Sequence, residues 1–396
     1  MSKKRVLMII QNGSIQQDFR VWQEAKTLIN SGYTVSVICP GYGNRGSEIL
    51  DGIHVYYYKE APLTHGAFSF LIEFVYTWLR TFFISLRILH KPGFDIIHAS
   101  NPPDTFFLLG WIYGLLGKKF VYDQHDLCPE IYLSRFEKNN VPFLKILTFL
   151  EKMTYRTADV VISPNESYKE IAKSRGNLPE EKIFLVRTGP DLDRVKETSP
   201  DRSLKNGRRF LVSCAGDLNP QDGVDYLLEV VDYLVNRKRR DDIHFAVLGD
   251  GDSLPHLKRM AIKLNVTDHV TFPGWLTGSR FLEYLSTTDV CIAPDPKNPH
   301  NDVSTINCVM EYMALGKPVV AFALRETPKV AGAAALYAKP NDSLDMASKL
   351  EELLNDEKRR KWMGEHGRKR IEQDFSWYHS EKLLLEAYNF LNGESN

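Results

Sequence analysis

Short β-branched runs separated by helix-like stretches recur along this chain, and the order they impose is its strongest constraint. The runs lie at residues 5–10, 34–39, 54–58, 95–99, 120–122, 160–163 and 183–186. Most are separated by patterned segments long enough for a helix, such as residues 19–30, which Ser31-Gly32 closes with residue types that stop a helix. Strand, helix and strand in repetition predict a parallel sheet covered on both faces. The pattern breaks at residues 189–207, "GPDLDRVKETSPDRSLKNG", a polar stretch without an apolar period that reads as a linker. It resumes at residues 210–215, 244–248, 270–272, 290–293 and 319–321. Two doubly wound α/β domains in tandem are the simplest account, with ligands expected at the carboxyl ends of their strands.

Bulk properties narrow the class further. A chain of 396 residues is longer than one hydrophobic core ordinarily serves. Hydrophobic residues at 43% and charged residues at 25% place it among globular proteins. Fifty basic residues offset fifty acidic ones, which argues against a dedicated nucleic-acid binder, since those carry a basic excess. Cys39, Cys128, Cys214, Cys291 and Cys308 are scattered without paired ligand spacing and read as buried thiols of a reducing compartment. The apolar run at residues 5–10 is too short for the core of a signal peptide. A cytoplasmic protein is therefore expected.

Two segments of the first half bear on membranes. Residues 68–91, "FSFLIEFVYTWLRTFFISLRILHK", carry charges that interrupt any stretch long enough to cross a bilayer. On a helical wheel Glu73, Thr77, Arg80, Arg87 and Lys91 form one stripe, leaving a broad apolar and aromatic remainder. A core-covering helix with one wet edge is the expectation, and a helix lying in a membrane interface is the alternative. Residues 138–156 bring Lys138, Lys145, Lys152 and Arg156 near one another on a helix. The two segments together make peripheral membrane association a reading to test.

Glycines and polar groups collect where strands end. Gly13-Ser14 follows the first strand, Gly216 the first strand of the second half, and Gly249-Asp250-Gly251 another. Such glycines permit close backbone approach to a ligand, or make a tight loop. His125 follows a strand at its carboxyl end, where a doubly wound domain places its chemistry, although a structural histidine fits equally well. His98, Asn101 and Asp104 read as turn residues. In residues 298–322, "NPHNDVSTINCVMEYMALGKPVVAF", a polar loop ending in Ser304-Thr305 opens a helix whose first N–H groups and dipole suit a diphosphate or a sugar. Glu311 projects from that helix among Met310, Tyr312 and Met313, and a carboxylate in such company points to a ligand, with a carboxylate on the exposed face as the alternative. Residues 214–228, "CAGDLNPQDGVDYLL", have the strand–glycine–helix order of a phosphate loop but carry Asp217, Asp222 and Asp225 and no cation. Asp222 is expected to cap a helix beginning near Gly223, with Asp225 in its first turn.

The blocks "RVWQEAKTLINSGYTVSVICP", "VDYLLEVVDYL", "FAVLGDGD", "VTFPGWL", "MEYMALGKPVVAF" and "FSWYHSEKLLLEAY", in this order and spacing, resemble the family 4 glycosyltransferases over nearly the whole chain. These are retaining enzymes of the GT-B fold. The resemblance implies two Rossmann-like doubly wound domains facing a central cleft. Residues 1–190 would bind the acceptor, residues 191–372 a nucleotide diphosphate sugar, and a helix in residues 373–396 would pack back on the first domain. It also implies retaining transfer of a hexosyl or N-acetylhexosaminyl group, with no metal and no cofactor. The acceptor is expected to be a glycan or a lipid-linked intermediate of polysaccharide biosynthesis, at the inner face of a membrane.

Matched by position, Glu311 takes the place of the glutamate on the nucleotide ribose and His125 that of the histidine beside the transferred sugar. Gly274, Trp275 and Leu276 match the segment that reads the base. Ser304, Thr305, Ile306 and Asn307 match the amides near diphosphate and sugar, and Gly13 and Ser14 the glycine loop toward the donor. Gly216, Gly249 and Gly251 complete the expected donor set. Two positions depart from the family pattern. Its second glutamate, eight positions before Glu311, is here Val303, with Asp302 as the adjacent substitute. Its arginine and lysine of the phosphate loop are here Asp217 and Asp222, so the diphosphate's countercharge is expected from Arg187, or from Lys297. A catalytically inactive nucleotide-sugar-binding protein and a nucleotide-sugar epimerase are the alternatives.

Overall fold

In the computed structural model the described residues are 4–11, 13–60, 67–136 and 140–393, for residues 67–74 the backbone alone. The chain forms two compact units. The first comprises Met1–Tyr132, Lys138–Thr188 and Ser380–Asn396, the second Leu133–Glu137 and Gly189–His379.

The first unit is built on eight strands: β1 (Arg5–Ile9), β2 (Thr34–Pro40), β3 (Gly46–Leu50), β4 (Ile53–Tyr58), β5 (Ile96–Ser100), β6 (Lys119–Asp123), β7 (Val160–Ser163) and β8 (Ile183–Leu185). Their spatial order is β3-β4-β2-β1-β5-β6-β7-β8. All neighbours pair parallel except β3 and β4, an edge hairpin. The helices are α1 (Phe19–Asn30), α2 (Ala67–His90), α3 (Phe107–Gly114), α4 (Cys128–Arg135), α5 (Val141–Thr157) and α6 (Glu166–Gly176). Asp18 caps α1 by accepting from the Val21 N–H at 3.0 Å, and Gly32, at φ 89°, helps to end it. Successive side chains of a strand point to opposite faces. Ile97 and Ala99 of β5 accordingly join a core with Ile88 of α2, Tyr113 of α3, Tyr155 of α5 and Ala172 of α6, while His98 faces the other way, toward α1.

α2 meets its expected orientation in part: Arg80, Arg87 and Lys91 of the wet stripe are exposed. Thr77, placed on the wet stripe by its spacing, is buried, as are Thr81, Ser85 and Ile88. Val75, Leu79, Phe83 and Leu86 of the apolar remainder are exposed as well. Small polar side chains let the helix lie close to the sheet, and Ser85 Oγ meets the Tyr113 hydroxyl at 2.7 Å. The Glu73 side chain and Lys138 lie outside the described residues.

The second unit holds β9 (Phe210–Ala215), β10 (Ile243–Leu248), β11 (Val270–Gly274), β12 (Val290–Ala293), β13 (Val319–Phe322) and β14 (Ala335–Ala338) in the order β11-β10-β9-β12-β13-β14, all parallel. Its helices are α7 (Val224–Asp232), α8 (Leu254–Lys263), α9 (Gly278–Thr287), α10 (Asn307–Ala314), α11 (Thr327–Ala331), α12 (Ser343–Asn355) and α13 (Glu357–Arg370). The last helix, α14 (Trp377–Leu391), starts in the second unit, where the Trp377 N–H donates to the Pro190 carbonyl at 3.1 Å. From Ser380 onward it belongs to the first unit, with Tyr388 edge-on to Tyr33. Strand order reverses between β1 and β5 in one sheet and between β9 and β12 in the other, which opens a crevice at the carboxyl ends of those strands. All five cysteines are free; Cys39, Cys214 and Cys291 are buried, whereas Cys128 and Cys308 retain some exposure.

Candidate functional site

At the first switch point α1 turns Arg20 and Glu24, one helical turn apart, toward β5 and β6. Arg20 grips the buried Asp123 with two bonds, Nε to Oδ2 at 3.1 Å and Nη2 to Oδ1 at 2.6 Å. Its Nη1 donates to the Val186 carbonyl at 2.8 Å and the Thr188 hydroxyl at 3.0 Å. Asp123 in turn holds His125, whose Nε2 lies 2.7 Å from Oδ2, while His125 Nδ1 faces Asp18 at 3.7 Å. Burial alone would lower the His125 pKa, but Asp123 and Asp18 outweigh it and the net displacement is upward. For Asp123 burial pushes up, yet Arg20 and His125 hold it well below the usual carboxylate range. Asn101 frames the same loop: its Oδ1 accepts from the His125 N–H at 2.8 Å and its Nδ2 donates to the Asp126 carbonyl at 2.7 Å. Asn101 is thus more than a turn residue, because it fixes the backbone that carries His125.

His98 also exceeds the role expected of it. It is fully buried, its Nδ1 lies 2.8 Å from the Tyr388 hydroxyl, and its Nε2 sits 3.3 Å from Glu24 and 3.5 Å from Asp123. Neither approach of Nε2 is well aligned as a hydrogen bond, though both carboxylates face it closely. Burial opposes the charge, but the two carboxylates raise the imidazole to about 9. Glu24, His98 and Asp123 bring ligand atoms within 4.8 Å of one another, a spacing that a metal ion could use. The positive charge these carboxylates need is supplied by His98 and by Arg20, which is 3.3 Å from Glu24. At the end of β1, the Gln17 side chain accepts from both the N–H and the hydroxyl of Ser14 at 3.1 Å. A Cβ on Gly13 would approach nothing nearer than Gln17 at 3.8 Å, so packing does not demand that glycine.

In the second unit α10 starts at the switch point. It begins at Asn307, two residues beyond Ser304-Thr305, and Ile306 at its N-cap position supplies no side-chain cap. Helix-start amides are thereby left to whatever binds there. Ser304 closes the preceding turn by donating its hydroxyl to the His300 carbonyl at 2.8 Å. Tyr312 pins the helix to the end of β9, its hydroxyl accepting from the Ala215 N–H at 2.7 Å. Glu311, one turn into α10, has no cation paired with it among the described residues, and burial alone pushes its carboxyl up to about 7. Trp275 is exposed just beyond β11 with Leu276 beside it, and Gly274 takes φ 85°. Gly249 and Gly251 prove to be packing requirements: a Cβ on the first would lie 1.9 Å from the Gly216 carbonyl oxygen, and one on the second 2.7 Å from that of Leu218. Gly216 takes φ 147°, a conformation that favours glycine.

The acidic loop acts as a brace. Asp222 does not cap α7. Its Oδ2 accepts from the Asn219 N–H at 2.9 Å, closing the turn Pro220–Asp222, and α7 follows from Gly223, whose left-handed φ of 70° lets it lie against Pro294 and Pro296. Asp225 occupies the first turn of α7 as expected. Asn298 and Asn301 donate to the Gln221 carbonyl at 3.2 and 2.8 Å, tying this loop to the one before α10. Burial first, and the neighbouring Asp295 and Asp217 next, raise Asp222 to about 7; burial raises Asp295 to the same value. Near neutral pH these two carboxyls therefore carry only part of their formal charge. Arg187 belongs to the first unit, 3.8 Å from Glu166 at the start of α6. Lys297 is in the second unit, 3.7 Å from Asp302, whose other oxygen accepts from the Arg325 N–H at 3.1 Å. The substitute proposed for the second glutamate thus already ties its loop to the one that follows β13.

Residues 19–194 match the family described as Glycosyltransferase Family 4, and residues 209–356 the family described as Glycosyl transferases group 1. The chain is similar to an alpha-D-kanosaminyltransferase of Streptomyces kanamyceticus, 24% identical over 64% of this chain and 65% of that protein. It is also similar to a GDP-mannose-dependent alpha-(1-6)-phosphatidylinositol monomannoside mannosyltransferase of Mycobacterium tuberculosis, 26% identical over 54% of this chain and 57% of the other. The match therefore spans less than two thirds of either relative. In fold it is similar to the sucrose-phosphate synthase of Thermosynechococcus elongatus, with TM-score 0.79 and 18% identity over 99% of this chain and 100% of that one.

Proposed function

The chain belongs to the family 4 glycosyltransferases, enzymes of the GT-B fold, and from that premise we propose that it moves a hexosyl or N-acetylhexosaminyl group, with retention and without a metal, from a nucleotide diphosphate sugar to a lipid-linked acceptor of polysaccharide biosynthesis at the inner face of a membrane. The observation that carries the donor half is α10, whose start lacks a side-chain cap and which presents, one turn in, a glutamate with no cationic partner among the described residues. The amides and dipole of α10 receive the diphosphate, and Glu311 accepts from the ribose hydroxyls. The segment from Gly274 to Leu276 lies against the base, with Trp275 as its exposed aromatic surface. In the first unit His125, held by Asp123 and Asn101, offers to the sugar an oriented imidazole whose pKa the two flanking carboxylates displace upward. Catalysis then consists of positioning the acceptor hydroxyl and stabilising the departing diphosphate. The mannosyltransferase relative, whose name specifies GDP-mannose and a phosphatidylinositol monomannoside, supports a nucleotide-sugar donor and a lipid-borne acceptor.

The test is nucleotide diphosphate release over a set of nucleotide sugars, preceded by a thermal-shift screen, since a bound donor stabilises the native state. His125→Ala and Glu311→Ala are each expected to slow release at least about tenfold, the scale of one lost transition-state contact. Wild-type rates in both variants would remove the site assignment. Donor binding without release would leave an inactive binding protein, and conversion of the donor into a second free nucleotide sugar would make it an epimerase.

A further inference from the structure

The first unit carries an apolar face. Nothing among the described residues covers this face, and thirteen of their 22 exposed large apolar side chains lie on α2, α3, α5 and the turn after α3. α2 contributes Leu79 and Phe83 from the face opposite its buried Thr77, Thr81 and Ser85, an inversion of the usual surface helix. Beyond α3, Leu115 is 90% exposed and Leu116 59%, with Trp111 at 59% on the helix itself. α5 adds Ile146 and Phe149. These helices are neighbours, since Ser85 of α2 bonds Tyr113 of α3, and α3 packs on α5.

Charge identifies the occupant. In a chain of zero formal net charge, residues 75–91, 107–119 and 140–157 contain one carboxylate, Glu151, which is buried against Arg175; the remaining acid of α2, Glu73, has its side chain outside the described residues. Arg80, Arg87 and Lys91 border the apolar residues of α2, and Lys145, Lys152 and Arg156 those of α5. Lys118 and Lys119, after α3, are the exceptions, paired with Asp95 and Asp159. A second copy seated here would oppose like charges, whereas an anionic surface meets complementary ones. Among the described residues no helix is long and apolar enough to cross a membrane.

We propose that α2, α3 and α5 form a docking face for an anionic lipid bilayer, the Leu115–Leu116 turn and Trp111 entering the headgroup boundary while the basic residues contact lipid phosphates. Aromatic and leucine anchors with a basic rim are the side chains such an interface selects. The proposal deepens the lipid-linked acceptor reading and rests on it for its purpose: it would bring the enzyme to the surface where that acceptor resides.

The experiment is co-sedimentation of the full chain with vesicles of phosphatidylcholine alone or mixed with phosphatidylglycerol, at low and high salt. Binding is expected to the mixed vesicles and to weaken with salt. Leu115→Asp with Leu116→Asp, and separately Lys145→Glu with Arg156→Glu, should each weaken it at least about tenfold. These side chains are exposed, so both variants should fold and keep donor hydrolysis in vesicle-free solution. Failure of the wild type to bind mixed vesicles, equal binding to neutral ones, or a dimer that dissociates on Leu115→Asp would each overturn the docking face. Donor hydrolysis is read independently, so its absence would count against the catalytic reading and not against this one.

Discussion

Replacing His98 by glutamine tests the buried ion group directly. The imidazole titrates at about 9 in the folded chain against an ordinary 6.5, a displacement worth about 3 kcal/mol at roughly 1.4 kcal/mol per unit. Because the folded value is raised, this stabilisation is complete below pH about 6.5 and is lost as pH climbs through about 9. Glutamine can still donate to a carboxylate but cannot carry the charge, so the variant should lose that part of the pH dependence. The two units need not unfold together, which makes a local probe necessary. Cys39 is buried in β2 of the first unit, and brief alkylation during urea unfolding, resolved by peptide mass, reports that unit alone. The wild-type midpoint should fall between pH about 6.5 and 9, the variant should begin lower, and the difference should close toward the alkaline end. Parallel curves over that range would show that His98 is neutral in the folded chain and refute the argument.

Arg20→Met leaves Asp123 and Glu24 with only histidines as countercharge, and by urea unfolding the first unit should lose about 3–5 kcal/mol. Donor affinity, measured by calorimetry, should decline as pH falls through about 7, because Glu311 must be ionised to accept from the ribose; Glu311→Gln should bind more weakly with a flatter profile. Gly249→Ala places a Cβ 1.9 Å from the Gly216 oxygen at a φ of 157°, and should destabilise the second unit by at least about 2 kcal/mol, read through alkylation of the buried Cys291.

The alternation of apolar runs was sufficient to predict both parallel sheets, but two strands escaped it. β3 is an exposed antiparallel edge strand, and its signal was the Asp51-Gly52 turn, where both residues take positive φ, at 48° and 88°. β14 reads Ala-Leu-Tyr-Ala and follows an alanine-rich turn, so its local preference is helical and pairing with β13 decides it. The placement of His125 at a strand end and of Glu311 in a helix after a polar loop was legible, and such folds put ligands at those places. The charges behind His125 were not, since Arg20 and Asp123 stand 103 residues apart and neither neighbourhood announces the other. The available clue was local: Arg20 and Glu24 share the buried face of α1 with Val21, Ala25 and Leu28, where unpaired charges cannot be kept. α2 illustrates a different limit. Its charged residues Arg80, Arg87 and Lys91 reach solvent as the periodicity requires, but periodicity alone does not say that small polar residues such as Thr77, Thr81 and Ser85 pack inward while apolar ones stay exposed.

The bond between His98 and Tyr388 also sets an order of events during synthesis, because the two residues are 290 positions apart. A ribosome delivers every strand of the first sheet, and then the whole of the second unit, before it delivers the residue that covers this imidazole. Until then His98, Glu24 and Asp123 lack the lid that α14 supplies, and water reaches carboxylates that later have none. The nascent first unit must therefore be looser than its finished form, and its final tightening comes only after its partner's strands have been made.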